Sequence, residues 1–483
     1  MKPLKSKKSF STEVKSSIIY IFSALFTKGL AFITIPIFTR IMPSSEIGVV
    51  NLYNSWSSLL LTLSTLALYS GGFSLAMKEF SQERSQYTSS VLSLTSLGAL
   101  FLGLIYAISP RFWNRCLNLP TSLMLLIIAQ ALFQPANNFY LLRKRYEYKY
   151  ISSGVLSALS ALAATSLSVW VVLRSSKAGI EELGIIRLFS NYGVLLTVSA
   201  ILWIGILKKG KTFYCAKYWR FGLTLSIPLI GNSFAEQILN SSDRIMIAHM
   251  VDNSAVGIYS TIYSCSSAAL MVWDAINTTF IPYLFNNIEI PQQRKNIYAT
   301  SSSLVLLVAA ATFSLTLFAP EIIWLLAPEE YQAAVYIMPP VASGIFFIAI
   351  SNMHSNILVY YKKTKYIAFS TVFAAFANIL LNFLCIPLWG YMAAAYTTLF
   401  SYIIAAGMQV VIILQLQRKT NQNTNPIYNT KAILYISAIT IICCLLCIPL
   451  YGCNLFRYIL FTVLAGFFLP KVISFLKTRT LSN

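Results

Sequence analysis

Apolar runs of about twenty residues or more follow one another along the chain, parted by short polar gaps. A helix needs about 20 such residues to cross the hydrocarbon layer. Only helices and closed barrels satisfy every backbone polar group there. The runs predict helices at residues 17–41, 49–68, 89–108, 123–142, 152–173, 184–207 and 221–250, then at 255–285, 298–318, 333–360, 366–388, 390–416, 432–450 and 455–474. That is an all-α, polytopic membrane protein with about 14 transmembrane helices. Pro228, Pro282, Pro339 and Pro340 fall within or at the ends of these runs, where they predict bends.

Composition agrees. The chain is 57% apolar and 11% charged, against about 45–50% and about 25% in a soluble domain. Its 36 Lys and Arg exceed its 15 Asp and Glu, for a formal charge of +21. A nucleic-acid-binding protein gathers such residues on a folded polar face; here they occupy gaps between apolar runs, which excludes that class. Cytoplasmic loops are enriched in Lys and Arg. With the N-terminus inside, alternate gaps receive 27 of the 36, including Lys78 and Arg84, Arg143, Lys144, Arg145 and Lys149, and Lys208, Lys209, Lys211, Lys217 and Arg220. The opposite gaps receive only Arg40, Arg111, Arg115, Arg174, Lys177 and Arg457. Both termini are therefore expected in the cytoplasm, and the alternation supports the helix count, because one span too many would reverse it downstream. No small-residue cleavage site follows the first lysines, so no removable signal peptide is expected. Cys443 and Cys447 lack the companions of a zinc site. No Ser-His-Asp, paired-carboxylate or metal-ligand constellation appears and the outer loops are short, so no enzyme, metal or cofactor is expected.

Four short matches recur in the same order. Arg40-Ile41-Met42 resembles Arg244-Ile245-Met246, and Glu46-Ile47-Gly48-Val49 resembles Ala255-Val256-Gly257-Ile258. Lys149-Tyr150-Ile151 recurs as Lys365-Tyr366-Ile367, and Leu188-Phe189-Ser190 as Leu399-Phe400-Ser401. The offsets are 204, 209, 216 and 211 residues. Duplicated bundles are common in transporters. The expected organisation is a six-helix lobe over residues 1–220, a second in parallel repeat over 221–418, and an appended pair of helices over 419–483, with a cavity between the lobes.

A charge at bilayer depth costs roughly 2.5–3.5 kcal/mol and turns toward a cavity or a partner. Lys28, midway along the first helix, fits either a link to a carboxylate or a contact for an anionic substrate. Glu236 and Asp243, seven apart in the seventh helix, share a face. With Arg244 beside them, they fit a structural ion pair or ion coupling. Asp274 is a lone acid suited to a coupling ion, or simply wet. Asn378 and Asn382, four apart, fit sugar hydroxyls or interhelical hydrogen bonds. His249 and His354 are isolated and read as packing residues. The basic stretch Lys208 to Arg220 fixes topology, meets anionic headgroups and would attract a phosphorylated substrate.

The segments Leu225-Ser226-Ile227-Pro228, Asp243-Arg244 and Val256-Gly257-Ile258-Tyr259 resemble a known family, as do Lys363-Thr364, Asn378, Asn382, Ile386-Pro387, Gly390 and Ala393-Ala394-Ala395. They are similar to bacterial O-antigen and capsule flippases (Wzx-type), in the multidrug, oligosaccharidyl-lipid and polysaccharide exporter superfamily, whose fold is MATE-like. The resemblance implies export of an undecaprenyl-diphosphate-linked oligosaccharide from the cytoplasmic to the periplasmic leaflet of the inner membrane by alternating access, coupled to an ion gradient. It places Lys28 and Arg244 on the diphosphate; the residues themselves offer Asn378 and Asn382 to the substrate and Glu236, Asp243 or Asp274 to a coupling ion. Implied partners are membrane lipids, a polysaccharide polymerase and a chain-length regulator. A multidrug or cation antiporter of the same superfamily fits less well, since the first six helices hold Lys28 and Arg187 and no mid-span carboxylate. A peptidoglycan lipid-precursor flippase shares the helix count and the cationic lumen.

Overall fold

The computed structural model describes residues 12–69, 72–147, 149–419 and 426–462. Seventeen α-helices occupy these residues: α1 (Thr12–Ile41), α2 (Ser44–Ser64), α3 (Gly72–Glu79), α4 (Arg84–Ile108), α5 (Pro110–Leu117), α6 (Thr121–Tyr146), α7 (Tyr150–Lys177), α8 (Leu183–Gly210) and α9 (Ala216–Met250). There follow α10 (Asn253–Ser266), α11 (Ala268–Asn287), α12 (Pro291–Leu317), α13 (Ala319–Leu326), α14 (Met338–Tyr360), α15 (Thr364–Trp389), α16 (Tyr391–Lys419) and α17 (Thr430–Leu446). Residues 454–462 are also helical, and no strand occurs among the described residues.

Ten helical stretches among the described residues are long and apolar enough to cross a membrane. The helices α1, α2 and α9 occupy three further expected positions. Length and apolarity thus support ten of the fourteen expected spans among the described residues. The expected span 455–474 lies outside the described residues beyond 462, as do the terminal cations Lys2, Lys5, Lys7, Lys8, Lys471, Lys477 and Arg479.

Local chemistry explains where the structure departs from the apolar pattern. The run 255–285 is cut at Ser267 into α10 and α11. The run 333–360 opens as a 3-10 turn over Glu329–Ile337, and Pro339 and Pro340 then begin α14. A helix's first turn needs no intrahelical N–H, so these prolines start a helix where a bend was expected. Pro228 and Pro282 do lie inside α9 and α11. Three short helices, α3, α5 and α13, occupy gaps read as loops. In α5, Pro110 opens the helix and Asn118, at φ 51°, closes it in the left-handed conformation, a conformation that asparagine tolerates at a helix end.

By packing, the chain forms two compact units, Met1–Ser260 with Thr371–Tyr391, and Thr261–Ser370 with Met392–Asn483. The division at 220 and 418 follows the repeat and is a separate criterion. In the first unit, Phe73, Phe80, Tyr87, Phe139 and Tyr218 form an aromatic core joining α3, α4, α6 and α9. Phe73 stacks on Phe139 with centroids 4.8 Å apart, and Phe80 meets Tyr218 edge-on at 5.0 Å. The Tyr218 hydroxyl donates to Glu83 at 2.7 Å and the Trp219 indole to the Ser90 carbonyl at 2.9 Å. These bonds fix the start of α9.

In the second unit α14 is the most deeply buried helix, apolar along most of its length. The helical residues 454–462 are joined to α13 by a forked ion pair. Arg457, wholly buried, donates two 2.8 Å bonds to the Glu321 carboxylate and one to the Leu317 carbonyl. Burial pushes the Glu321 carboxyl up, but hydrogen bonds from Arg457 and Tyr458, a backbone bond and the guanidinium charge outweigh it and hold the carboxyl below its ordinary value. Removing one partner of a buried pair costs about 3–5 kcal/mol, so Glu321→Ala should lower the midpoint of thermal unfolding in detergent more than Glu321→Gln does. Because the folded carboxyl titrates low, its contribution is complete above the ordinary carboxylate pKa of about 4. It is lost as pH falls through the depressed value. Wild-type protein should therefore lose stability on acidification in that window, and the Gln variant should lose less.

Candidate functional site

Three helices of the first unit meet at a carboxylate. Asp243 of α9 is 2% exposed. It accepts from the Tyr259 hydroxyl of α10 at 2.7 Å and from the Asn382 amide of α15 at 2.7 Å, with the Asn378 amide at 3.3 Å. Ser242 donates to the Asn378 Oδ1 at 2.6 Å, and Asn382 reaches the same oxygen at 3.2 Å. Asn378, Asn382 and Tyr259 are wholly buried. A buried carboxylate is costly unless its oxygens are bonded, and donors from two neighbouring helices bond these. Each asparagine can also turn its carbonyl oxygen inward, which would give a small cation, or a proton on Asp243, an oxygen-lined seat.

The other candidates stand in different surroundings. Arg244 is half-buried and donates to the Asn240 carbonyl at 2.6 Å and the Ser260 hydroxyl at 3.2 Å. Glu236 shares the seven-residue face of α9 with Asp243 yet is exposed. Lys28 is exposed on α1, and Asp274 is half-buried on α11 in the second unit. Asn378 and Asn382 spend their amides on Asp243 and Ser242, so in this conformation they are closed to sugar hydroxyls. His249 joins α9 to α5, its Nε2 lying 2.9 Å from the Cys116 carbonyl, and buried His354 lies edge-on to Tyr428 at 5.4 Å.

A second polar group lies on α2, α6 and α8, and the sequence pattern did not single it out. The Arg187 guanidinium sits 3.7 Å above the Phe38 ring of α1. Tyr192, farther along α8, donates to Asn54 at 2.9 Å and packs on Tyr53 at 5.5 Å. Gln130 accepts from Tyr53 at 2.9 Å and Ser57 at 2.6 Å. Arg187 was visible as a cation within a span. Gln130 and Tyr192 carry no charge and gave no signal in an apolar run.

The matched glycines of the repeat meet. A β-carbon at Gly48 would overlap the Asn253 carbonyl, and one at Gly257 would overlap the Ser44 carbonyl and crowd the Gly48 nitrogen. Gly48 and Gly257 are 209 residues apart, and so are Ser44 and Asn253. Each segment therefore offers the other the same atoms, as at a two-fold interface. Ser44 and Ser254 add a hydroxyl–hydroxyl bond at this junction. From the charge alternation in the sequence alone, this end of α2 and α10 is expected on the outer side.

The polysaccharide biosynthesis protein family matches residues 14–288, more than half of the chain. The chain belongs to this family. A further match, to the MatE family, covers residues 228–384. Among solved structures, the lipid II flippase MurJ in an inward closed conformation aligns with a TM-score of 0.66 at 16% identity, over 95% of this chain and 100% of that one. The MATE multidrug transporter DinF-BH aligns with a TM-score of 0.58 at 14% identity, over 86% and 97%. An inward-facing multidrug resistance MATE family transporter of the MOP superfamily aligns at 0.56 and 11% identity, over 86% and 99%. No curated protein matches. This member of the polysaccharide biosynthesis family thus has the multi-span fold seen in a lipid II flippase and in multidrug transporters.

Proposed function

We propose that this protein moves a polyprenyl-diphosphate-linked oligosaccharide, an O-antigen or capsule repeat unit, from the cytoplasmic to the outer leaflet of the bacterial inner membrane. The observation that carries this reading is the set of cations within the spans: in the first unit Lys28, Arg187 and Arg244 outnumber the acids Glu236 and Asp243, and the Ser260 hydroxyl and the amides of Asn378 and Asn382 lie in the same unit. That pattern suits an anionic diphosphate followed by sugars, and family membership supports it. Lys28 and Arg244 would hold the diphosphate, hydroxyls and amides of the Tyr192 group would meet the sugars, and the polyprenyl chain would stay in lipid. The Gly48–Gly257 junction would close the outer mouth during loading and part for release. A cell lacking this protein should accumulate the lipid-linked oligosaccharide in its inner leaflet and lose surface polysaccharide. Unchanged outer-leaflet exposure of that lipid would overturn the reading.

Asp243 would couple transport to an ion, because its occupancy changes what α9, α10 and α15 share. A ligand shifts a conformational equilibrium only through different affinities for the two states. Asp243→Asn keeps the shape and most hydrogen bonds but removes the charge. Its transport in vesicles should become insensitive to an imposed proton or sodium gradient, with the gradient-driven component falling ~10-fold or more. Retained stimulation by either gradient would exclude Asp243 as the coupling group.

A further inference from the structure

The start of α9 lines a cavity of about 600 Å³ that export as described above does not use. Its wall is formed by Ala216, Lys217, Arg220, Phe221, Thr224 and Leu225. The two cations lie one turn apart and both are exposed. Lys217 is steered by the Glu83 carboxylate at 3.9 Å and lies over the Phe80 ring at 5.0 Å. Arg220 has no hydrogen bond or ion pair among the described residues. Beneath them, Phe221 meets Phe80 edge-on at 5.1 Å, which sets it as a firm apolar wall, and Leu225 continues that wall one turn on. The Tyr218 and Trp219 bonds described above hold this turn of helix in place, so the cavity is preformed. Its volume falls within the usual ~300–1,000 Å³ of small-molecule sites.

We propose that this cavity binds the head of an anionic membrane phospholipid, one whose phosphate charge is not offset by a headgroup cation, with Lys217 and Arg220 on the phosphate and the first part of the hydrocarbon chain against Phe221 and Leu225. Charge and apolarity are stacked in the order that a lipid presents them at the membrane surface, and a soluble anion would leave the apolar wall unused. Arg supplies paired donors in the fork geometry that phosphate oxygens accept, and Lys supplies a point charge. A diffuse basic rim attracts anionic lipid wherever the cations sit; a built site depends on which cations are removed.

The full chain, purified in detergent and supplied with phosphatidylglycerol or phosphatidylcholine of matched chains, would be examined by native mass spectrometry. Wild type should retain phosphatidylglycerol at least ~10-fold better than phosphatidylcholine. Lys217→Gln with Arg220→Gln should erase that preference while leaving the unfolding midpoint unchanged. Lys208→Gln with Lys209→Gln, which removes the same charge from the neighbouring end of α8, should keep it. Equal loss in both double variants would show diffuse attraction and overturn the site, as would no loss in either. Millimolar inorganic pyrophosphate should not displace the retained lipid; displacement would show an anion site that does not need the lipid, and would overturn the assignment.

Discussion

Lys28→Ala should abolish surface polysaccharide while membrane abundance stays at the wild-type level, and Lys28→Arg should restore part of the function. Deleting one partner of a charge pair formed with a desolvated ligand costs about 2–5 kcal/mol. Since 1.4 kcal/mol is a factor of ten, affinity for the diphosphate should fall roughly 30-fold to several thousand-fold. Lys28 is exposed on α1, so truncation opens no core cavity and the loss should not come through misfolding. The readout has two parts: polysaccharide display on intact cells and immunoblotting of the membrane fraction. Normal display with Ala at position 28 would remove this lysine from the mechanism, and lost abundance would assign it to folding instead.

Gly257→Leu should produce a comparable loss by a different route. Overlap with the Ser44 carbonyl leaves no room for any side chain here, so leucine must hold the ends of α2 and α10 apart. Overpacking costs about 1–3 kcal/mol where a site can relax. Backbone-to-backbone contact relaxes less, and a penalty of about 2.7 kcal/mol would lower the closed population ~100-fold. The opposing Gly48→Leu should do the same, because the junction is built twice from equivalent atoms. In a background with the native cysteines replaced, Ser254→Cys should become more reactive toward a membrane-impermeant maleimide added from outside, while export falls. Unchanged labelling and normal export with leucine at both positions would show that this contact is not a gate.

Both predictions draw on features that were only half visible in the sequence. The equivalence of Gly48 and Gly257 was legible from the repeated segments, but nothing in either segment said that they touch. The acids of α9 show the same limit. Glu236 and Asp243 lie on one helical face by spacing, yet one is exposed and the other is enclosed by donors from α10 and α15. Asn378 and Asn382 read equally well as sugar contacts or as helix-pairing groups, and their amides meet a carboxylate more than 130 residues away in the chain. The cut at Ser267 was missed because apolarity runs through it without interruption, whereas the one before Pro339 falls where a bend was expected.

By itself, the sequence determined that this is a helical membrane protein, where most of its helices run, and that its excess of cations lies in the gaps between them. Those follow from the cost of placing apolar or charged groups in water or hydrocarbon, which each stretch of chain carries locally. Tertiary structure alone decided which polar groups share an interior, that Asp243 is caged, and that the two repeats meet glycine to glycine. Such pairings depend on how helices far apart in the chain pack, and a local pattern of polarity holds no record of that.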